Sequence, residues 1–284
     1  MNRNPASRGE WIYRHSAVVR LTHWTNVVAL SILLMSGLQI FNAHPALYWG
    51  EASDFGKPSL AIAGVKDEDG QIRGVTRLFG QQWDTTGVLG VSRDANGQAW
   101  PRAFPPWATL PSWQSLASGR QWHFFFAWVF VLSTSVYLLH SILGRHVWRD
   151  LLPTRRDLRQ VPHSAWDHLR FRFPQGDEAR RYNVLQKLTY LLVLFVFFPL
   201  LVLTGLTMSP RMDAAIPLLL DVFGGLQSAR TIHFIAAFSL LAFVLVHVFM
   251  VLISGAWNNI RSMLTGRYFI RVPDGARDAA SRFE

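Results

Sequence analysis

The chain has 284 residues, 50% of them hydrophobic and only 16% charged, with 20 Phe, 12 Trp and no cysteine. Without cysteine there is no disulfide framework, no thiolate-ligated zinc, no iron–sulfur cluster and no covalently attached c-type haem, which needs a C-x-x-C-H motif. The net charge of +10 would suit a nucleic-acid binder, but so apolar and aromatic a composition excludes a soluble basic domain and points to a membrane.

Crossing about 30 Å of hydrocarbon takes roughly 20 residues at helical rise. Four windows qualify, 21–41, 122–143, 188–208 and 231–255, and none contains Asp, Glu, Lys or Arg. The first follows a basic stretch, yet it is too long for a cleaved signal and lacks an A-x-A-like site, so it is expected to be a retained helix. Segment 42–121 is rich in Gly, Pro and Trp (Trp49, Trp83, Trp100, Trp107, Trp113). Turn signals at Asp69-Gly70, Asn96-Gly97 and Pro105-Pro106 punctuate it without a helical period, so it reads as a small ordered cap or docking surface. Segment 144–187 is Arg-rich and broken by Pro153, Pro162 and Pro174, which suits attraction to anionic lipid headgroups. The expected fold is an all-α, integral-membrane four-helix bundle with a long outside loop between helices one and two.

With the N-terminus placed in the cytoplasm, the inside segments 1–20, 144–187 and 256–284 carry 19 Lys and Arg against 9 acidic residues. The outside segments 42–121 and 209–230 carry 9 of each. Basic residues flank membrane helices on the cytoplasmic side, so both termini are predicted to be cytoplasmic and the charge is a topology signal with no nucleic-acid partner behind it.

Of the 10 histidines, five lie inside the windows: His23, His123, His140, His233 and His247. An ionisable residue at that depth is costly and marks a functional site. His233 and His247 are close to four turns apart, so they share a helix face and lie about 21 Å apart along it, one near each membrane surface. Under the derived topology His233 and His123 share the outer level, while His247 and His23 share the inner one. Paired neutral imidazoles are what a haem iron needs for bis-axial ligation. The lack of carboxylates argues against a di-iron or dizinc site, and the lack of thiolates excludes soft-metal sites. A noncovalent b-type haem is therefore expected at each pair. Gly37 falls on the face of His23 at the outer level, where a missing side chain would admit the outer porphyrin. Arg20 near the inner pair, and Arg120 and Arg230 near the outer pair, are positioned to meet propionates, with interfacial snorkelling as the alternative. His140 lies at the inner level, about a quarter turn off the face of His123. Replacing His23 as a ligand, lining a quinone pocket or doing nothing chemical are its three options, of which the last two are favoured.

The run Arg20-Leu21-Thr22-His23-Trp24-Thr25-Asn26, opening a helix that ends Ser36-Gly37-Leu38, resembles the first helix of bacterial cytochrome b561-type proteins. That group includes the membrane cytochrome b subunits of nickel–iron hydrogenases, formate dehydrogenases and thiosulfate reductases. Gly119-Arg120-Gln121-Trp122-His123-Phe124, then Tyr137 and Trp148-Arg149-Asp150-Leu151-Leu152-Pro153, are similar to the second helix and its exit. Tyr182-Asn183-Val184-Leu185-Gln186-Lys187 and Thr204-Gly205-Leu206-Thr207-Met208-Ser209-Pro210 resemble the third helix of the thiosulfate-reductase type. His233 with His247 matches the paired ligands of the fourth. The resemblance implies a dihaem b cytochrome of the bacterial inner membrane, exchanging electrons between the quinone pool and a periplasmic redox subunit, with a molybdopterin enzyme among the candidates. It implies no catalytic residue on this chain, and a quinone site near the inner haem with Asn26, His140 and Arg145 as candidates. The segment 42–121 is longer than the family leads one to expect. Two other readings stay open: a stand-alone quinone-linked oxidoreductase acting on a small diffusible species such as superoxide, and a histidine-lined metal or proton transporter.

Overall fold

The computed structural model describes residues 9–93, 96–145, 147–170 and 183–271. Tyr182 of the third-helix motif, and residues 171–181 of the Arg-rich segment with Pro174 among them, lie outside the described residues. Among the described residues four helices are long and apolar enough to cross a membrane: α1 (Ala17–Phe41), α2 (Leu116–Leu143), α3 (Val184–Thr207) and α4 (Leu226–Ile253). A shorter helix, α5 (Ala256–Thr265), follows. Each long helix starts four to six residues before its uncharged window, because polar residues cap and extend it beyond the apolar part. At the start of α3, for instance, Asn183 Oδ1 accepts from the Leu185 amide while Gln186 Oε1 accepts from the Asn183 amide. This reciprocal pair satisfies amides that the first turn leaves open.

The helices are apolar outside and hydroxyl-bearing inside. Phe125, Trp128 and Leu132 on α2, and Leu245 and Val246 on α4, are all exposed, whereas Ser36, Ser141 and Thr204 are fully buried. Exposed apolar surface on this scale is a liability in water and the required surface in hydrocarbon, where every buried polar group needs an internal partner. Three of the hydroxyls find theirs one turn back: Thr22 donates to the Val18 carbonyl at 2.8 Å, Ser36 to Ile32 at 2.6 Å and Thr204 to Leu200 at 2.5 Å, whereas Ser141 Oγ is buried without one. Within α3, residues Val193–Phe197 form a wide π-type turn. It directly precedes Pro199, whose ring has no N–H to donate and crowds the carbonyl of a regular turn.

The fold is not all-α. Segment 42–121 holds an antiparallel four-stranded sheet of β2 (Ala46–Leu47), β3 (Leu60–Lys66), β4 (Ile72–Leu78) and β5 (Gln81–Asp84), beside a two-stranded pair of β6 (Val91–Arg93) and β7 (Ala99–Pro101). The turns set the registers. In the β3–β4 turn, the Asp67 carboxylate accepts from the Asp69 and Gln71 amides, and Gly70 takes φ +76°. Phe79 and Gly80, at φ +48° and +83°, make the two-residue turn that sets Leu78 opposite Gln81. The sheet layers are tight at two glycines. A Cβ on Gly74 would stand 2.0 Å from the Leu89 carbonyl oxygen, and one on Gly90, at φ +86°, 2.7 Å from that of Ala63.

The chain divides into two compact units. The first takes in the chain up to Trp24, Ser135–Val196 and the chain from Leu241 onward. In it, β1 (Gly9–Tyr13) pairs antiparallel with β8 (Arg267–Arg271), and the Trp24 indole N–H donates to the Met263 carbonyl of α5 at 3.1 Å. Lys187 at the head of α3 donates to Asp157 Oδ2 at 2.9 Å, and the same carboxylate accepts from the Thr154 amide that caps a short helix. The second unit comprises Thr25–Thr134 and Phe197–Leu240. Here the sheet is fastened to the helix ends by Phe41, Leu47, Ile62, Ala103 and Phe104, with Phe234 and Phe238 of α4 packed against them. The Asn42 side chain closes the join, donating to the Phe104 carbonyl at 3.1 Å and accepting from its amide at 2.7 Å.

Two consequences are measurable. Gly74→Ala should destabilise the sheet by about 2 kcal/mol or more, lowering the unfolding temperature read from the fluorescence of the segment's tryptophans. The hydrogen bond from Lys187, followed by that from the Thr154 amide, holds the Asp157 carboxylate below its ordinary pKa. A depressed carboxylate stabilises the fold above its unfolded pKa and loses that contribution as pH falls through the folded one. Asp157→Asn should therefore be less stable than the parent by about 1 kcal/mol or less near neutral pH, and the two proteins should converge in acid.

Candidate metal centres

His123 lies on the second turn of α2 and His233 on the second turn of α4, and both belong to the second unit. Their ring centroids are 6.3 Å apart with planes at 62°. Two imidazoles bound to one metal ion from opposite sides, at about 2 Å per metal–nitrogen bond and roughly 1 Å from nitrogen to ring centre, hold their centroids a little over 6 Å apart. A direct imidazole–imidazole hydrogen bond would draw them closer. The gap therefore has the width of one intervening metal atom.

The hydrogen bonds around each ring fix which nitrogen faces the gap. Ser36 Oγ gives its proton to the Ile32 carbonyl, so its lone pair is left for His123 Nδ1, 3.1 Å away, which must be the N–H donor. Thr204 repeats the arrangement, giving its proton to the Leu200 carbonyl and lying 3.0 Å from His233 Nδ1. With both protons on Nδ1, both Nε2 lone pairs are free for a metal. This is the outer support that orients ligating histidines and raises their basicity. Beside each hydroxyl is a glycine: a Cβ on Gly37 would stand 3.4 Å from His123 Cε1, and one on Gly205 3.5 Å from His233 Cε1. Gly37 and Gly205 thus each stand against an imidazole, where the missing side chain leaves room beside the ring.

In the first unit, His23 and His247 repeat the spacing, with centroids 6.4 Å apart and planes at 65°. Aromatic rings flank this pair: Trp24 meets His23 edge-on at 5.4 Å, and Phe243 stacks on His247 at 5.8 Å. Among the described residues no group of three or more His, Cys, Asp or Glu could hold a metal ion. Each pair could offer a metal two nitrogens, a number that suits a metal whose other positions are filled by its own carrier, as in haem. The residues present fit haem.

The other sequence candidates divide. Arg20 donates Nη1 to the Leu264 carbonyl, while its Nε is buried without a partner. Arg230, one turn before His233, donates to the His44 carbonyl at 2.5 Å and lies over the Phe41 ring at 5.8 Å. Burial, and after it the charge of Arg230, lowers the pKa of His44. Arg120 is exposed, with its guanidinium over Phe124 at 5.5 Å. His140 Nε2 lies 3.1 Å from Ser16 Oγ. Arg145 is exposed at φ +56° just past α2. Asn26, in the second unit, donates to Thr134 Oγ1 at 3.4 Å and leaves its Oδ1 buried without a partner. The supporting roles of Ser36, Thr204 and Gly205 were not anticipated from the sequence. The signal was present as a hydroxyl–Gly–Leu triplet in both α1 and α3.

Apolar helices of membrane-crossing length, carrying imidazoles spaced for a metal and primed to bind it through Nε2, define a multi-pass membrane haem protein. The chain belongs to the prokaryotic cytochrome b561 family, whose model matches residues 14–266. It is thus a membrane b-type cytochrome, of the class that carries electrons. Among its relatives is a protein of Azospira oryzae provisionally named the protein-methionine-sulfoxide reductase subunit YedZ1. The two are 27% identical over 237 residues, which cover 84% of this chain and 89% of the relative. No solved structure matches the chain significantly.

Removing either supporting hydroxyl should loosen the ligand it orients. Ser36→Ala and Thr204→Val are each expected to weaken haem retention by about 10- to 100-fold, read by titrating haem into the depleted protein. Ser31→Ala, on the same helix as Ser36 but with its hydroxyl bonded to the Val27 carbonyl, should leave retention unchanged.

Proposed function

We propose that the chain is the membrane subunit of a two-part oxidoreductase in the bacterial inner membrane, with both termini cytoplasmic, carrying electrons between the quinone pool and a periplasmic redox subunit. The observation that carries this reading is the doubled imidazole pair, with centroid separations of 6.3 and 6.4 Å in the two units. One b-type haem is assigned to His123 and His233 and a second to His23 and His247. Held there by two histidines, haem would supply a one-electron carrier, which favours electron transfer over chemistry on a substrate. The name of the Azospira oryzae relative supports a protein-methionine-sulfoxide reductase as the partner, and the family resemblance supports a periplasmic molybdopterin enzyme. Electrons would then run from quinol outward. The sheet-bearing segment 42–121 is the proposed docking face.

The protein's own groups have stated tasks in this reading. Ser36 and Thr204 hold the protons of their imidazoles on Nδ1. Arg20 and Arg230 meet propionates. His140 with Ser16, together with Arg145, forms the proposed quinone-facing set of the first unit, and Asn26 offers a buried acceptor in the second.

Purification in detergent tests the assignment. Two haems per chain are expected, with His123→Ala and His233→Ala losing one and the same haem, and His23→Ala and His247→Ala losing the other. His140→Ala should keep both. One haem or none in the parent, or different haems lost within a pair, would sink the reading.

A further inference from the structure

Arg102 lies between β7 and α2 in the second unit and is only 4% exposed. Its Nη1 donates to the Ser112 carbonyl at 2.7 Å, and its Nη2 to Gln39 Oε1 at 3.0 Å and Thr109 Oγ1 at 2.6 Å. All three acceptors are neutral. Nε is buried with no hydrogen-bond partner, and the guanidinium lies over the Trp100 ring at 5.3 Å. Among the described residues the ion pairs are Arg73 with Asp67 and Lys187 with Asp157, so no carboxylate answers Arg102. Burial lowers its pKa, but a guanidinium remains charged under any condition a protein meets. A buried cation without a counter-charge is costly, and its persistence calls for an anion.

Its position says where that anion sits. Gln39, which holds the guanidinium, is one turn along α1 from Ser36, which holds His123. A Cβ on Gly119, one turn before His123 on α2, would stand 3.0 Å from Gln39 Cγ. The guanidinium is therefore held by the helical turn next to the His123–His233 gap, about 5.4 Å further along the helix axis. Arg230, one turn before His233, lies toward the same helix ends. A haem between these imidazoles brings anionic groups of its own, two propionates at one edge of the ring.

We infer that Arg102 is the counter-ion of a propionate on the haem held between His123 and His233, which makes the sheet-bearing segment part of that haem's binding site. The inference rests on the proposed haem at this pair. Its electrostatic consequence has a definite sign. A cation beside the propionate stabilises the reduced haem and keeps the propionate ionised. Without it, the haem is harder to reduce and the propionate titrates.

The test is an optical redox titration of the full chain in detergent, comparing the parent with Arg102→Gln and Arg102→Lys. In Arg102→Gln, the wave that disappears in His123→Ala should move to lower potential. Its position should also become pH-dependent, falling as pH rises through the carboxylate range, while the other wave stays in place. Arg102→Lys keeps the charge and should restore most of the parent's position. An unshifted wave with haem content intact would overturn the inference, as would a lysine variant that behaves like the glutamine one, which would mark a purely structural tie. A shift seen only in discs of anionic lipid, or only with a partner subunit bound, would assign Arg102 to a headgroup or to the partner and also overturn it. If the parent has no His123-dependent wave, it is the haem assignment that fails, and the inference falls with it.

Discussion

An imidazole binds a metal only through a nitrogen whose lone pair is free, and in hydrocarbon there is no water to take the proton from the other nitrogen. Something in the protein has to accept it. At the His123–His233 centre that acceptor is a serine or threonine hydroxyl, and the hydroxyl can accept because its own proton is already committed to a carbonyl one turn back. The sequence of bonds begins in the helix backbone, passes through a side-chain oxygen and ends on Nδ1. Each member decides the role of the next, so the tautomer of each ring is set by the protein itself.

The same device is used twice in that unit. The Ser36-Gly37 pair of α1 serves His123 on α2, and the Thr204-Gly205 pair of α3 serves His233 on α4. In both cases the oxygen orients the ring, and the adjacent glycine lets the ring approach the helix bearing it. At His23 and His247, Trp24 and Phe243 occupy the flanks. Two ring pairs of almost equal separation thus differ in their surroundings, one supported by hydrogen bonds and the other by aromatic packing.

The four membrane helices were legible because charge is segregated from them, and a window of uncharged residues is a strong signal at any level of detail. The histidine pairs were legible because a helix repeats its face every 3.6 residues or so and topology supplies the depth. The sheet of segment 42–121 was not. Its strands are short, and its tightest turn is made by Phe79-Gly80, a dipeptide that gives no turn signal at its first position. Spacing gives the level and face of Gly37 but not its neighbour, the His123 ring. Arg102 illustrates the same limit. In sequence it is one of seven basic residues in 42–121, and only the fold distinguishes it as deeply buried, with its Nε unanswered.

The pairing of β1 with β8 sets a timetable for biosynthesis. Gly9 lies opposite Arg271 and Tyr13 opposite Arg267, so one of the earliest described segments to leave the ribosome has its partner among the last. The sheet of β2 to β5 can close within a short stretch of chain, but this ladder must wait until all four long helices have been translated. His23 and His247 flank the same interval in the sequence, and their meeting is delayed with it. A chain halted before Arg267 could insert these four long helices and would still lack the strand that pairs with β1.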